Sequence, residues 1–293
     1  MDIAIEYTIK NDKPRVLIQR DQPITIDTQK AFTQTDVRLR NQEVLTINIS
    51  ELSMCPIIEE VDLRLNKIEH IDLTSLSSCT VLQDLTLSGN RLQALDLSPL
   101  SSCTMLQSLE LGTNQLSSID LTPLSSCTAL KTIYLGHNQL QSIDLTPLAS
   151  CHELKNLWLH SNQLKHIDLS PLSGCVHLRL LSLGENRLRN INLGPLSSCT
   201  DLESLDLRYN LLRKIDLGPL SSCSRLKSLS LRRNQLKNID LAPLSFCKEL
   251  FTLFLDYNRL KKIDLKPLDS CPRLNSLYLK GNATHFDDWS ADH

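Results

Sequence analysis

The sequence predicts an α/β fold in which about eleven short turns of chain stack around one apolar core, with a parallel β-sheet on the concave face. Three observations predict it. One pattern of leucine, asparagine and cysteine recurs every 24 residues, its leucines alternate with polar residues as they do in a β-strand, and the same asparagine returns in ten of the copies.

The repeat reads L-x-x-L-x-L-x-x-N-x-L-x-x-I-D-L-x-P-L-x-x-C-x-x, and one clear copy runs from Leu106 to Cys127. In the L-x-L segment, strand alternation sends both leucines inward and the residue between them outward. A degenerate copy precedes the regular ones and has Gln42 in place of asparagine. Its apolar slots are filled by Val37, Leu39, Val44, Ile47, Ile49 and Leu52.

This pattern resembles the leucine-rich-repeat family over about residues 34–283. The resemblance implies a right-handed horseshoe whose asparagine, where the chain leaves the strand, bonds backbone groups of neighbouring turns. A single copy buries too little apolar surface to fold alone, so the ends of the stack need caps. Residues 1–33, with three short strand patterns, are expected to be a β-rich N-terminal cap, and residues 284–293, with Phe286 and Trp289, a C-terminal cap.

The second half of each repeat predicts the convex side. Ile-Asp-Leu alternates inward, outward, inward, which predicts a second, very short extended segment. The Ser/Thr-Pro that follows, as at Thr122-Pro123, suits a helix N-cap and a first helical position. A short helix or 3₁₀ turn is therefore predicted to begin there.

Ten cysteines each occupy one slot of a repeat. A slot that is always cysteine indicates a small buried apolar residue, so we expect reduced core thiols. Neighbouring strands would bring the thiols within disulfide distance, but parallel inward side chains rarely meet the torsional demands of that bond. Single, evenly spaced cysteines also lack the paired spacing of zinc sites, and no metal or other cofactor is expected.

A column of aspartates follows the same period: Asp72, Asp96, Asp120, Asp144, Asp168, Asp216, Asp240 and Asp264, with Asn192 in the remaining repeat. Repeated acids can chelate calcium. Because each carboxylate stands alone in its turn, the favoured interpretation is that it accepts backbone hydrogen bonds or faces solvent.

The outward strand positions contain most of the candidate binding residues. Aromatic residues make up only 4% of the chain, yet four of them fall in this one column. Two aromatic clusters are predicted: Tyr134, His137, Trp158 and His160 near the middle, and Tyr209, Phe254, Tyr257 and Tyr278 towards the C-terminal end. Exposed aromatic rings are typical of protein-binding hot spots, whereas the alternative is that they only cover the sheet.

Charge on this face changes along the chain, from acids such as Glu110 in the early repeats to Arg208 and Arg232 in the late ones, interrupted by Asp206. Such a gradient would orient a partner of opposite polarity, although solvated surface charge is an equal alternative. A net charge of -2 makes nucleic acid an unfavoured partner, and no apolar run is long enough to cross a membrane.

No phosphate loop, HExxH or CxxC motif occurs, so we do not expect an enzyme. The N-terminus lacks a signal-peptide pattern, which predicts a cytoplasmic protein. The sequence thus predicts a non-catalytic scaffold, monomeric, that binds a protein or peptide on its concave face. By resemblance, partners of such intracellular solenoids include signalling and cytoskeletal proteins. The alternative is a structural spacer that self-associates without a heterologous ligand.

Overall fold

The computed structural model describes residues 35–283 in full, together with the backbone of four flanking strands. The chain forms two compact units, Met1–Asn138 and Gln139–His293. Each unit is built from the same repeated turn, in which a three-residue strand is followed by a loop and then by a five-residue 3₁₀ helix.

The N-terminal strands are β1 (Ile5–Glu6), β2 (Val16–Ile18) and β3 (Ile24–Ile26). They lie within the three strand patterns of the predicted cap. β1, β2 and β3 pair antiparallel in chain order, and β3 then pairs parallel with β5 (Ile47–Asn48) of the degenerate copy.

Each repeat contributes one strand to a parallel ladder. In the first unit these strands are β4 (Asp36–Arg38), β6 (Glu60–Asp62), β7 (Asp84–Thr86), β8 (Ser108–Glu110) and β9 (Thr132–Tyr134). In the second unit they are β10 (Asn156–Trp158), β11 (Leu180–Ser182), β12 (Ser204–Asp206), β13 (Ser228–Ser230), β14 (Thr252–Phe254) and β15 (Ser276–Tyr278).

The last strand, β16 (Trp289–Ser290), pairs antiparallel with β15 and ends that ladder. The predicted packing of Phe286 and Trp289 over the last core layer concerns side chains outside the described residues. The assignment of residues 284–293 to a cap therefore stays a prediction.

The apolar slots of the repeat form the core. In the copy from Leu106 to Cys127 every leucine slot and the cysteine are fully buried. The inward residues predicted for the degenerate copy are buried as well, so that copy is a true turn of the stack. All ten cysteines are buried free thiols, as predicted. The thiol of Cys127 donates to the carbonyl of Leu100 at 3.4 Å, in the middle of the preceding 3₁₀ helix.

The asparagines form a buried hydrogen-bonded ladder, as the resemblance implied. Asn114 accepts the backbone N–H of Leu92 at 3.0 Å, and its Nδ2 donates to the carbonyls of Leu87 at 3.0 Å and Leu111 at 3.1 Å. The loop after each strand would otherwise bury these backbone groups without partners, so one side chain joins two turns of the solenoid.

The convex side consists of 3₁₀ helices, not α-helices, in the described repeats. They span Ser50–Met54, Thr74–Ser78, Ser98–Ser102, Thr122–Ser126, Thr146–Ser150, Ser170–Gly174, Gly194–Ser198, Gly218–Ser222, Ala242–Phe246 and Lys266–Ser270. Among these repeats, only the degenerate copy makes its second extended segment a strand, β5.

The predicted Ser/Thr N-cap is wrong. Thr122 is the first residue of its helix, the cap position belongs to Leu121, and no side chain caps the helix. Asp120 takes the role instead, because its carboxylate accepts the backbone N–H of Thr122 at 2.8 Å. The aspartate column thus has the structural role that the sequence analysis favoured. In the repeat without the aspartate, Asn192 makes the same contact by accepting the N–H of Gly194 at 2.9 Å.

Hydrogen bonds also shift the acidity of this column. The hydroxyl of Ser170, followed by its backbone N–H, lowers the pKa of Asp168 by stabilising the carboxylate. Across the described part of the chain, no helix combines the length and apolarity needed to cross a bilayer.

Candidate functional site

The outward column of the second unit is aligned by strand register. Residues at the third strand position pair directly, in the order Trp158, Ser182, Asp206, Ser230, Phe254 and Tyr278. Small side chains therefore lie between two large aromatic positions. Ser204, Ser228 and Ser230 line a depression in this face.

This depression is a groove of about 730 Å³, lined by Glu185, Ser204, Asp206, Arg208, Tyr209, Ser228, Ser230, Arg232 and Phe254. Serines of β12 and β13 make its floor, and charged and aromatic side chains make its walls. A Cβ on the neighbouring Gly184 would lie 2.8 Å from Oδ2 of Asp206 and 3.0 Å from Cγ of Arg208, so these two side chains pack closely over the glycine.

Two arginines in the groove are held by carboxylates. Nη2 of Arg208 lies 3.3 Å from Oε1 of Glu185, and its Nε lies 3.5 Å from Oδ2 of Asp206. Nε of Arg232 lies 3.2 Å from Oδ2 of Asp256. Burial raises the pKa of Asp206, although the backbone N–H and the charge of Arg208 oppose that shift. The groove is thus polar and of mixed sign.

Aromatic rings continue the surface beyond the groove. The rings of Phe254 and Tyr278 stack with centroids 4.7 Å apart and an interplanar angle of 6°. Cζ of Arg233 lies 5.2 Å from the ring centroid of Tyr209 and 4.4 Å from that of Tyr257. Tyr209, Tyr257 and Tyr278 are all exposed, so the second predicted cluster forms an open, partly stacked surface.

The residues predicted for the middle cluster belong to both units. In the first unit Tyr134 is half-buried and pairs in register with Glu110, while His137 is exposed. A Cβ on Gly112 would lie 2.2 Å from the Tyr134 ring, so this ring covers the neighbouring backbone. In the second unit Trp158 and His160 are half-buried. The grouping of these four side chains as a binding cluster stays a prediction.

Two of the early acids are paired. Glu60 forms an ion pair with Arg38, and Asp62, which is 4% exposed, lies 2.8 Å from Arg64. Sequence reasoning treated the acids as an open surface. The Arg38–Glu60 pair joins residues 22 positions apart and cannot be read from one sequence, whereas the Asp62–Arg64 pair lies within one strand end and depends on side-chain direction.

Sequence reasoning also missed Glu185 and the serine floor of the groove. The signal was present, since serines stand between Trp158 and Phe254 in a column that is otherwise rich in rings. A search for large side chains passes over the small residues that make room for a ligand.

The described residues contain no group of three or more His, Cys, Asp or Glu side chains that could hold a metal ion. Burial raises the pKa of Cys223 to about 11 and that of Cys199 to about 12. Neutral, buried thiols are poor nucleophiles.

Comparison with known families identifies the repeat. The family profile described as Leucine rich repeat matches residues 104–164, 152–212 and 224–283. A profile described as BspA type Leucine rich repeat region matches residues 24–114. Among curated proteins no relative was found.

Solved structures show the same fold. An internalin (inlF) from Listeria monocytogenes is 28% identical, with a TM-score of 0.72 over 88% of this chain and 77% of that one. The plant peptide hormone receptor RGFR1, solved in complex with RGF2, is 25% identical with a TM-score of 0.73, over 86% of this chain and 40% of the receptor. A Leptospira interrogans LRR protein is 24% identical with a TM-score of 0.65, over 84% of this chain and 66% of that protein.

The profile matches cover more than half of the sequence, and they fall on the repeats whose strands, buried leucines and asparagine ladder are described above. The chain therefore belongs to the leucine-rich-repeat family and has its α/β solenoid fold.

Proposed function

We propose that this protein is a non-catalytic recognition scaffold that binds a protein or peptide partner on the open face of the sheet in its second unit. The observation that carries the proposal is the groove over β12 and β13, whose walls combine rings with charged side chains. Binding hot spots use this combination, because rings bury much area with few rotatable bonds and charged groups fix orientation.

The predicted residues Asp206, Arg208, Tyr209, Arg232 and Phe254 all line this groove, while Tyr257 and Tyr278 extend it. A related fold gives further support, since the plant receptor with 25% identity is a peptide hormone receptor solved with RGF2. Burial keeps the thiols neutral, and neutral thiols are poor nucleophiles, which supports a role without thiol chemistry. Ten free thiols also suit a reducing compartment, so we place this function in the cytoplasm.

Filling the groove tests the proposal. Ser230→Trp places a large ring on the groove floor, and Ser224→Trp makes the same change at an exposed position outside the groove. Both variants and the wild type are used to capture partners from native lysate, and captured proteins are re-tested in purified form. The proposal expects Ser230→Trp alone to abolish binding. Equal binding by both variants would reject the groove as the contact.

A self-associating spacer is the second candidate, and one observation favours it. Phe246 and Phe251 are 59% and 51% exposed, in slots that hold Ser222 and Lys227 one repeat earlier. Under this alternative, Phe246→Ser with Phe251→Lys would lower the sedimentation coefficient at high concentration. Under the recognition proposal the wild type already sediments as a monomer, and the double variant changes nothing.

Replacing Tyr134 and Trp158 by alanine tests the predicted middle cluster. Loss of a heterologous partner in this double variant would support that cluster as a further contact. Loss of self-association alone would support the spacer.

A further inference from the structure

One cation on the sheet face of the second unit differs from its neighbours. Arg208 and Arg232 have carboxylates within 4 Å, but among residues 35–283 no carboxylate pairs with the exposed Arg233. Its guanidinium instead lies between the rings of Tyr209 and Tyr257. Ring faces hold a guanidinium through cation–π attraction without using its N–H donors.

The backbone under this Tyr-Arg-Tyr clamp is costly. Tyr209, Arg233 and Tyr257 occupy the slot before the ladder asparagine, with φ of 52°, 52° and 55°. A residue with a Cβ adopts this left-handed conformation at a cost in free energy, because its Cβ crowds the following carbonyl oxygen. Glycine fills the same slot at Gly89 and Gly281 without that cost. Other repeats also have residues with a Cβ in this slot, at Leu65, Thr113, His137, Ser161 and Glu185. The clamp differs from them because it places a cation between two rings.

We propose that the Tyr-Arg-Tyr clamp binds a carboxylate side chain of an extended acidic peptide segment in the partner. This inference rests on the recognition function proposed above and specifies the partner's chemistry. A stacked guanidinium is held in place before binding, so less entropy is lost when its planar fork pairs with a carboxylate.

The surroundings of the clamp agree with an acidic segment. Arg259 and Lys280 are also exposed and lie in the next repeats, whereas Asp206 is half-buried, Asp256 is buried, and the exposed Glu185 is paired with Arg208. The stacked pair of Phe254 and Tyr278 offers an apolar surface beside these cations. A segment that alternates acidic and aromatic residues would satisfy both features.

Nucleic acid fits less well than a peptide. A phosphate backbone places charges at regular intervals and would meet Glu185 and Asp206 in the groove. A peptide can place its carboxylate at Arg233 and a neutral residue over the serine floor.

The test uses three labelled probes and fluorescence anisotropy with the full chain at low salt. The probes are a synthetic Gly-Ser peptide with Glu-Phe pairs, the same peptide with Gln for each Glu, and a single-stranded oligothymidine. Arg233→Gln removes the clamped cation. Arg213→Gln, an exposed arginine in the same repeat as Tyr209, removes the same charge outside the clamp.

We expect the Glu peptide to bind the wild type at least about tenfold more tightly than the Gln peptide, and Arg233→Gln alone to remove that difference. Arg233→Lys should restore part of it, because lysine keeps the charge but lacks the planar fork. Equal binding of both peptides, equal effects of the two Gln variants, or tighter binding of oligothymidine would overturn the inference.

Failure of this inference is separable from failure of the recognition function. If Ser230→Trp loses the captured partner and Arg233→Gln keeps it, the groove recognises a partner that is not acidic. Thermal unfolding of each variant checks that the exposed substitutions leave the fold intact.

Discussion

Removing one rung of the asparagine ladder should weaken the solenoid far more than removing an exposed asparagine. Asn210 is 4% exposed. Its Oδ1 accepts the N–H of Leu188 at 2.9 Å, and its Nδ2 donates to the carbonyls of Leu183 at 2.9 Å and Leu207 at 3.2 Å. Asn210→Ala deletes these three bonds and leaves the Leu188 N–H buried without its acceptor.

The magnitude follows from these bonds. A buried donor left without a partner costs about 1–3 kcal/mol, and each further lost bond costs about 1 kcal/mol. Asn210→Ala should therefore reduce the free energy of unfolding by about 3–5 kcal/mol. Asn190→Ala, an exposed asparagine one repeat earlier, should change it by less than about 0.5 kcal/mol.

Local hydrogen exchange is the appropriate assay, because repeat proteins can unfold in parts and a single two-state free energy is then undefined. The Leu188 amide should lose protection in Asn210→Ala and keep it in Asn190→Ala. Urea unfolding followed by circular dichroism gives the overall midpoint. Unchanged protection of Leu188, or equal midpoint shifts in the two variants, would refute the structural role assigned to the ladder.

Further predictions concern the thiols, the aspartate column and one glycine. Burial raises the pKa of Cys199 to about 12. The buried neutral thiol therefore contributes its full share to the free energy of unfolding below the unfolded thiol pKa of about 8.5, and this contribution is lost as pH rises towards 12. Iodoacetamide at pH 8 should label it only after unfolding, as mass spectrometry would show; prompt labelling of the native protein contradicts this. Ser170 lowers the pKa of Asp168. The Asp168 carboxylate therefore contributes to the free energy of unfolding above about pH 4, and this contribution is lost as pH falls below that value. Asp168→Asn should keep the backbone hydrogen bond and therefore the melting temperature at neutral pH, whereas Asp168→Ala should lower that temperature. Equal melting temperatures for the Asn and Ala variants would count against a stabilising role of that bond. Gly112→Ala should cost about 1–3 kcal/mol in urea unfolding by displacing the Tyr134 ring, and no loss would mean the ring moves freely.

The repeated elements could be predicted from the sequence because each slot recurs often enough to reveal its environment. The inward leucines, the buried thiols and the bonded asparagines were all predicted correctly, and all depend on contacts that recur with the period. The capping group was predicted wrongly. Ser/Thr-Pro is a helix start in general, and an N-cap at Thr122 would accept the backbone N–H two or three residues later. Here the N–H of Leu124 already bonds the carbonyl of Leu121 at 2.9 Å, and the local side-chain acceptor is Asp120, two residues before the helix start.

The candidate site could be predicted only in part. Large residues such as Phe254 and Tyr209 stand out against a uniform repeat. The pairing of Arg208 with Glu185 depends on side-chain direction across neighbouring turns. That Arg233 forms no ion pair within the described residues depends on which partners the surrounding carboxylates contact. Neither property is periodic, so neither can be read from the repeat.

Position-specific cross-linking tests the recognition surface most directly. A photoreactive phenylalanine analogue replaces Ser230 on the groove floor in one sample and the exposed Ser224 in the other. After irradiation with the purified partner, recognition at the groove predicts a covalent adduct from position 230 and none from position 224. Equal adducts from both positions, or an adduct from 224 alone, would contradict it.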